Sequence, residues 1–160
     1  MRATYRVLAH FISILVAVQA AFIAWAISGL GKWVSEGGVL DAAAFESEET
    51  LFPEVLGFML HGMNGTMLIP LVALVLLIIS FFTKVPGASR WAALVFLLVG
   101  VQILLGISAR GGLPALGALH GINALLLFTA ALVAGIRVGR YSRASAAGAS
   151  ATAREPGYVA

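Results

Sequence analysis

The chain has 160 residues, 61% of them hydrophobic and only 11% charged. A soluble domain of this size has too high a surface-to-volume ratio to hide that much apolar surface, whereas lipid solvates it. The absence of cysteine excludes a disulfide framework or a thiolate metal site, and the net charge of +3 comes from basic residues that flank apolar runs and form no patch suited to nucleic acid.

In chain order, the first apolar run follows Arg2 and Arg6, as in a signal peptide. It is too long for a signal core and has no clear cleavage site, so it reads as a retained helix. Four stretches carry no charge: Val7 to Gly31, Val55 to Thr83, Trp91 to Ala109 and Gly111 to Ile136. Each reaches the roughly 17–20 residues that cross a hydrocarbon core as helix, and helix is required because unpaired backbone groups cannot face lipid. The expected fold is an all-α integral membrane four-helix bundle. Its spans are residues 7–31, 53–83, 91–110 and 114–137, with an outer loop over 32–52. Pro53 and Pro114 sit where a helix can begin, and Pro70 is placed to kink the second helix. Asp41, followed by Ala42 to Phe45, can cap a short surface helix in the outer loop. Trp33 and Trp91 suit the two membrane interfaces. The segment 141–160 is rich in Ala, Ser and Gly without an apolar period, and is expected to be disordered.

Basic residues set the expected orientation. Arg2, Arg6, Lys84, Arg90, Arg137, Arg140, Arg143 and Arg154 fall on one side, and only Lys32 and Arg110 on the other. Both termini are therefore expected to be cytoplasmic. The outer loop carries Glu36, Asp41, Glu46, Glu48 and Glu49 and reads as a solvated lid.

An internal repeat is visible. Leu60-His61-Gly62-Met63-Asn64-Gly65 in the second helix matches Leu119-His120-Gly121-Ile122-Asn123-Ala124 in the fourth. The first and third helices echo each other at Val18-Gln19 and Ile27-Ser28 against Val101-Gln102 and Ile107-Ser108, with a spacing that differs by three residues. These echoes imply two parallel-repeat hairpins related by a pseudo-twofold axis along the membrane normal. His61 and His120 then lie roughly 9–12 Å below their helix starts, facing each other in the outer leaflet. Two opposed neutral imidazoles in an apolar bundle are what a six-coordinate haem iron requires. Gly57, Gly62, Gly65, Gly117 and Gly121 remove side chains where a flat macrocycle needs room. Asn64 and Asn123 share a face with the histidines and can hold a water, a haem edge or each other. Arg110 and Lys32 lie at the rim where propionates would need cations.

The plainer reading is that the histidines bond across helices and the glycines serve close packing. Intramembrane ionisable groups are costly, however, and two in matched contexts favour function. His10 has no counterpart in the repeat and reads as a packing residue. Gln19 and Gln102 are read as interhelical hydrogen-bonders, or as the floor of the pocket. Met59, Met63 and Met67 form a packing stripe that points away from the His61 face.

At these residues the chain resembles one four-helix half of heme A synthase. In such a half, one histidine on the second helix and one on the fourth bind haem. His61 and His120 match those positions, and Val101-Gln102-Ile103-Leu104-Leu105-Gly106 resembles the third-helix pattern. The likeness runs from Val7 to about Arg137. The chain is also similar to uncharacterised four-helix bacterial membrane proteins with a His, then an Asn, early in the fourth helix. The resemblance implies haem binding in a bacterial cytoplasmic membrane. Three departures separate the chain from that family: Gly57, Phe58 and Met59 stand where it carries a catalytic glutamate, with Glu54 about two turns before the histidine; outer-loop cysteines are absent; and the second half is missing unless a homodimer supplies it. Haem binding is expected to carry over and haem oxidation is not.

The leading expectation is a b-type cytochrome holding haem b between His61 and His120, with Asn64, Asn123, Gly62, Gly65, Gly121, Gln19, Gln102 and Arg110 around it. It would transfer electrons or act as a haem-binding subunit, with the lipid bilayer and a membrane redox partner or a second copy as partners. The rival readings are an accessory membrane subunit without cofactor, or a lipid- or quinone-binding protein.

Overall fold

The computed structural model describes residues 1–41, 44 and 50–152. These residues build four long helices: α1 (Arg2–Ser35), α2 (Pro53–Ser80), α3 (Ala88–Arg110) and α4 (Ala115–Thr152). All four are long and apolar enough to cross a membrane, which is the signature of a multi-pass membrane protein. They run alternately up and down, and α1 packs against α2 and α4 while α3 packs against α2 and α4. The expected all-α bundle of two hairpins is the observed one.

The helix limits follow local chemistry. Pro53 opens α2 as a 3₁₀ turn over Pro53–Val55, where its missing N–H costs nothing. Gly112, at φ 103°, makes the tight turn between α3 and α4 that an L side chain would strain. A π turn over Asn64–Leu68 leads into the α-helix Ile69–Ser80, next to Pro70, which has no N–H to give the ladder. Asp41 accepts a hydrogen bond from the Ala44 amide at 2.9 Å, as a cap would; the rest of that expected surface helix lies outside the described residues.

The expected tail needs correction. Residues 141–152 continue α4 as helix; residues 153–160 lie outside the described ones. Alanine is the best helix former, and Ser142, Ser145 and Ser150 donate their hydroxyls to the carbonyls of Val138, Tyr141 and Ala146 instead of competing with the ladder. The stretch has no apolar period because none of residues 141–150 is buried.

Burial is uneven along the bundle axis. The main core occupies the half that holds the N-terminus: Tyr5, Ala9, Ile12 and Val16 of α1, Val72, Ala73 and Leu76 of α2, Ala92, Val95 and Val99 of α3, and Leu127, Ala131, Ala134 and Val138 of α4. The Tyr5 hydroxyl donates to the Ala88 carbonyl at 3.0 Å, and Ser13 donates to the Phe128 carbonyl at 3.2 Å, so both polar groups are satisfied across the bundle. Toward the loop end, buried residues lie along the α1–α2 seam at Ala26, Gly29, Phe52 and Gly57. There the outer part of α2 packs on α1, while the α2–α3 contacts come from Ile69–Ser80. The two hairpins thus share a tight core at one end and stand apart at the other. Met59, Met63 and Met67 are exposed and so face outward, not into packing within the chain.

Candidate functional site: two pinned histidines

The repeat is a structural fact at the level of individual hydrogen bonds. In the first hairpin, the His61 Nδ1 lies 3.2 Å from the Gln19 carbonyl, and the Asn64 amide donates to the Leu15 carbonyl at 3.3 Å. In the second, the His120 Nδ1 lies 3.0 Å from the Gln102 carbonyl, and the Asn123 amide donates to the Leu98 carbonyl at 2.9 Å. Leu15 and Gln19 are one turn apart on α1, as Leu98 and Gln102 are on α3. Each His–Asn pair therefore grips one turn of the preceding helix in the same way. The register equates Val18-Gln19 with Val101-Gln102; it does not equate Ile27-Ser28 with Ile107-Ser108, whose spacing already departed by three residues.

A carbonyl oxygen can only accept, so each Nδ1 carries the proton and each Nε2 is left with its lone pair. That is the tautomer a metal-ligating histidine needs, with the backbone carbonyl fixing the ring. The two rings face each other with centroids 6.1 Å apart and planes inclined at 53°. Both residues are half-buried.

The glycines divide into two groups. A Cβ on Gly62 or Gly121, the residue after each histidine, would meet nothing within 4 Å. Gly57 and Gly65 do not open space for a ligand: a Cβ on Gly57 would fall 2.6 Å from the Phe22 carbonyl, and one on Gly65 would collide with the Gln19 amide. Their role is close approach of α1 and α2. A Cβ on Gly117 would lie 3.9 Å from the Ala109 Cβ, an ordinary contact. Gly106, named above only within a sequence pattern, proves to be part of the site, because a Cβ there would lie 3.1 Å from His120 Cε1. It sits four residues after Gln102, on the same face of α3, and that spacing is the signal that points to it.

The two asparagines do not meet each other or the centre; both bond inside their own hairpin. The glutamines differ. Gln102 Nε2 donates to the His120 carbonyl at 2.9 Å, and its Oε1 accepts from Asn123. In the first hairpin, Gln19 Oε1 and Asn64 Oδ1 are buried acceptors with no hydrogen-bond donor among the described residues. Arg110 ends α3, exposed, eight residues and so about 12 Å beyond Gln102. Lys32 forms an exposed ion pair with Glu36 at 3.9 Å, so neither cation is seen at the histidines. His10 is a packing residue, as expected: its ring lies over Gly135, where a Cβ would come 2.7 Å from Cε1. It also lines an apolar groove of about 490 Å³ between α1 and α4.

Among the described residues, no three or more His, Asp or Glu side chains gather as a metal-ligand group. The arrangement brings two imidazole rings together, one from each hairpin. Comparison of the chain with protein-family models, curated proteins and solved structures finds no match.

Proposed function

We propose that the chain is a b-type haem-binding membrane protein that carries electrons, alone or as a haem-binding subunit of a larger membrane assembly. The observation that carries this reading is the pair of facing imidazoles, each pinned through Nδ1 to a backbone carbonyl of the neighbouring helix.

The residues fit such a group. Two metal–imidazole bonds of about 2 Å, with about 1 Å from each nitrogen to its ring centre, sum to about 6 Å; the ring centroids are 6.1 Å apart. A Cβ on Gly62 or Gly121 would meet nothing within 4 Å, so neither position crowds the histidines. A haem contributes its own four nitrogens, so two protein ligands suffice. When bound, it would supply one-electron transfer. The carbonyls of Gln19 and Gln102 hold the two rings in place, and Gln102 further ties the His120 backbone to Asn123.

Likeness to a heme A synthase half supports haem binding alone. Glu54 does not replace the missing acid beside His61, because its side chain is packed against Gly29 of α1. The excess of basic residues on the side of the termini supports an orientation with both termini cytoplasmic and the histidines toward the outer leaflet.

A second reading shares the carrying observation: an accessory subunit whose histidines only tie helices together would make the same two interhelical bonds. Titrating haem into the purified chain separates the two. The cytochrome reading predicts saturation at one haem per chain with a low-spin spectrum; no spectral change leaves the accessory subunit.

A further inference from the structure

At the basic end of the bundle, the added length of α4 builds a pocket of about 440 Å³, lined by Val85, Pro86, Arg137, Arg140, Tyr141 and Ala144. Residues 137, 140, 141 and 144 follow the i, i+3, i+4, i+7 spacing of one helix face, and Val85 and Pro86 come from the α2–α3 link. Arg137 directly follows Ile136, the last residue of the uncharged run, so the pocket opens where the apolar span ends. Arg2 adds a third guanidinium, stacked 5.1 Å from the Tyr141 ring centre and bonded to the Thr83 carbonyl at 3.3 Å. Arg137 in turn lies 5.7 Å from the Trp91 ring centre.

Among the described residues these cations have no carboxylate partner. Six of the seven acidic residues fall between positions 36 and 54, and the seventh is Glu155. Among the described residues the one ion pair is Lys32–Glu36, on the opposite end. Arg2 and Arg137 are held instead by aromatic faces, and Arg2 also by a backbone carbonyl, which leaves guanidinium donors for an anion.

We propose that this pocket binds the phosphate of an anionic phospholipid from the adjoining leaflet, with Arg137 and Arg140 on the phosphate oxygens and Arg2 alongside. The phosphate diester matches the planar donors of arginine. Val85, Pro86 and Ala144 give the glycerol an apolar wall, and the acyl chains continue along the lipid-facing surface of the helices. Basic pockets between membrane helices take anionic head groups by this chemistry. The proposal is independent of haem.

The test is native mass spectrometry of the delipidated full chain, titrated separately with phosphatidylglycerol and phosphatidylcholine of equal chain length. One phosphatidylglycerol is expected to be retained per chain in preference to phosphatidylcholine. The double substitution Arg137→Gln/Arg140→Gln should lower that retention about twenty- to thirtyfold, at about fivefold per arginine. Arg137→Lys/Arg140→Lys should retain most of it, and Arg143→Gln, off the pocket face, should leave it within about twofold. On the unsubstituted chain, retention of phosphatidylglycerol should fall with rising salt, which decides the matter even if the double variant does not fold. Equal retention of the two lipids, salt-independent retention, or an unaffected double variant would overturn the proposal. So would complete displacement by equimolar inorganic phosphate, which would make this a free-phosphate site.

Discussion

At the scale of single residues, the two hairpins are alike in backbone and unlike in side-chain satisfaction. Gln102 makes two hydrogen bonds, to the His120 carbonyl and with Asn123, whereas Gln19 Oε1 is a buried acceptor with no donor among the described residues. Removing a partner from a buried pair costs about 1–3 kcal/mol, while replacing an unsatisfied polar group with an apolar one of similar shape is near neutral or stabilising. Gln102→Leu should therefore destabilise the chain by about 1–3 kcal/mol, and Gln19→Leu should change stability little or raise it, as read by reversible unfolding in mixed micelles. Equal losses for both would contradict the asymmetry. The matched His-Gly-x-Asn segments were legible because His and Asn are rare in an apolar run. The bonding partners were not: they are main-chain carbonyls of Leu15, Gln19, Leu98 and Gln102, and a carbonyl leaves no mark in a sequence.

At the scale of elements, glycines with the same appearance in sequence do different work. Gly57 brings the α2 backbone against the Phe22 carbonyl, so Gly57→Ala forces the helices apart and should cost about 1–3 kcal/mol. Gly62→Ala adds a methyl group to open space and should lie within about 0.5 kcal/mol of the parent. Thermal unfolding in detergent would check both, and similar losses would contradict the assigned packing. Lys84, between α2 and α3, holds φ at 54°, a left-handed conformation that an L side chain adopts at a cost of about 1 kcal/mol. Lys84→Gly should raise stability by up to about 1 kcal/mol; a loss in the same unfolding experiment would count against it. Composition distinguished the four spans from the links, but not the end of α4. Alanine-rich helix and alanine-rich coil share a composition, and this stretch has no buried face whose period would tell them apart.

At the scale of the molecule, the bundle is closed at its basic end and looser at its loop end, with the two histidines where the hairpins separate. Four spans put both termini on one side. Because the chain has no cysteine, single cysteines at Thr4, Val39 and Ser145, all exposed, can be labelled in intact cells with a membrane-impermeant reagent. Position 39 should react and the other two should not; the reverse pattern would invert the proposed orientation. The proposed function requires both facing imidazoles to hold the haem, and haem titration of His61→Ala, His120→Ala and His10→Ala beside the parent tests this most directly. The parent and the His10 variant should give the same low-spin spectrum, while loss of either His61 or His120 should convert it to high spin or abolish binding. A low-spin spectrum that survives both of those substitutions, or that is lost with His10, would contradict the assignment.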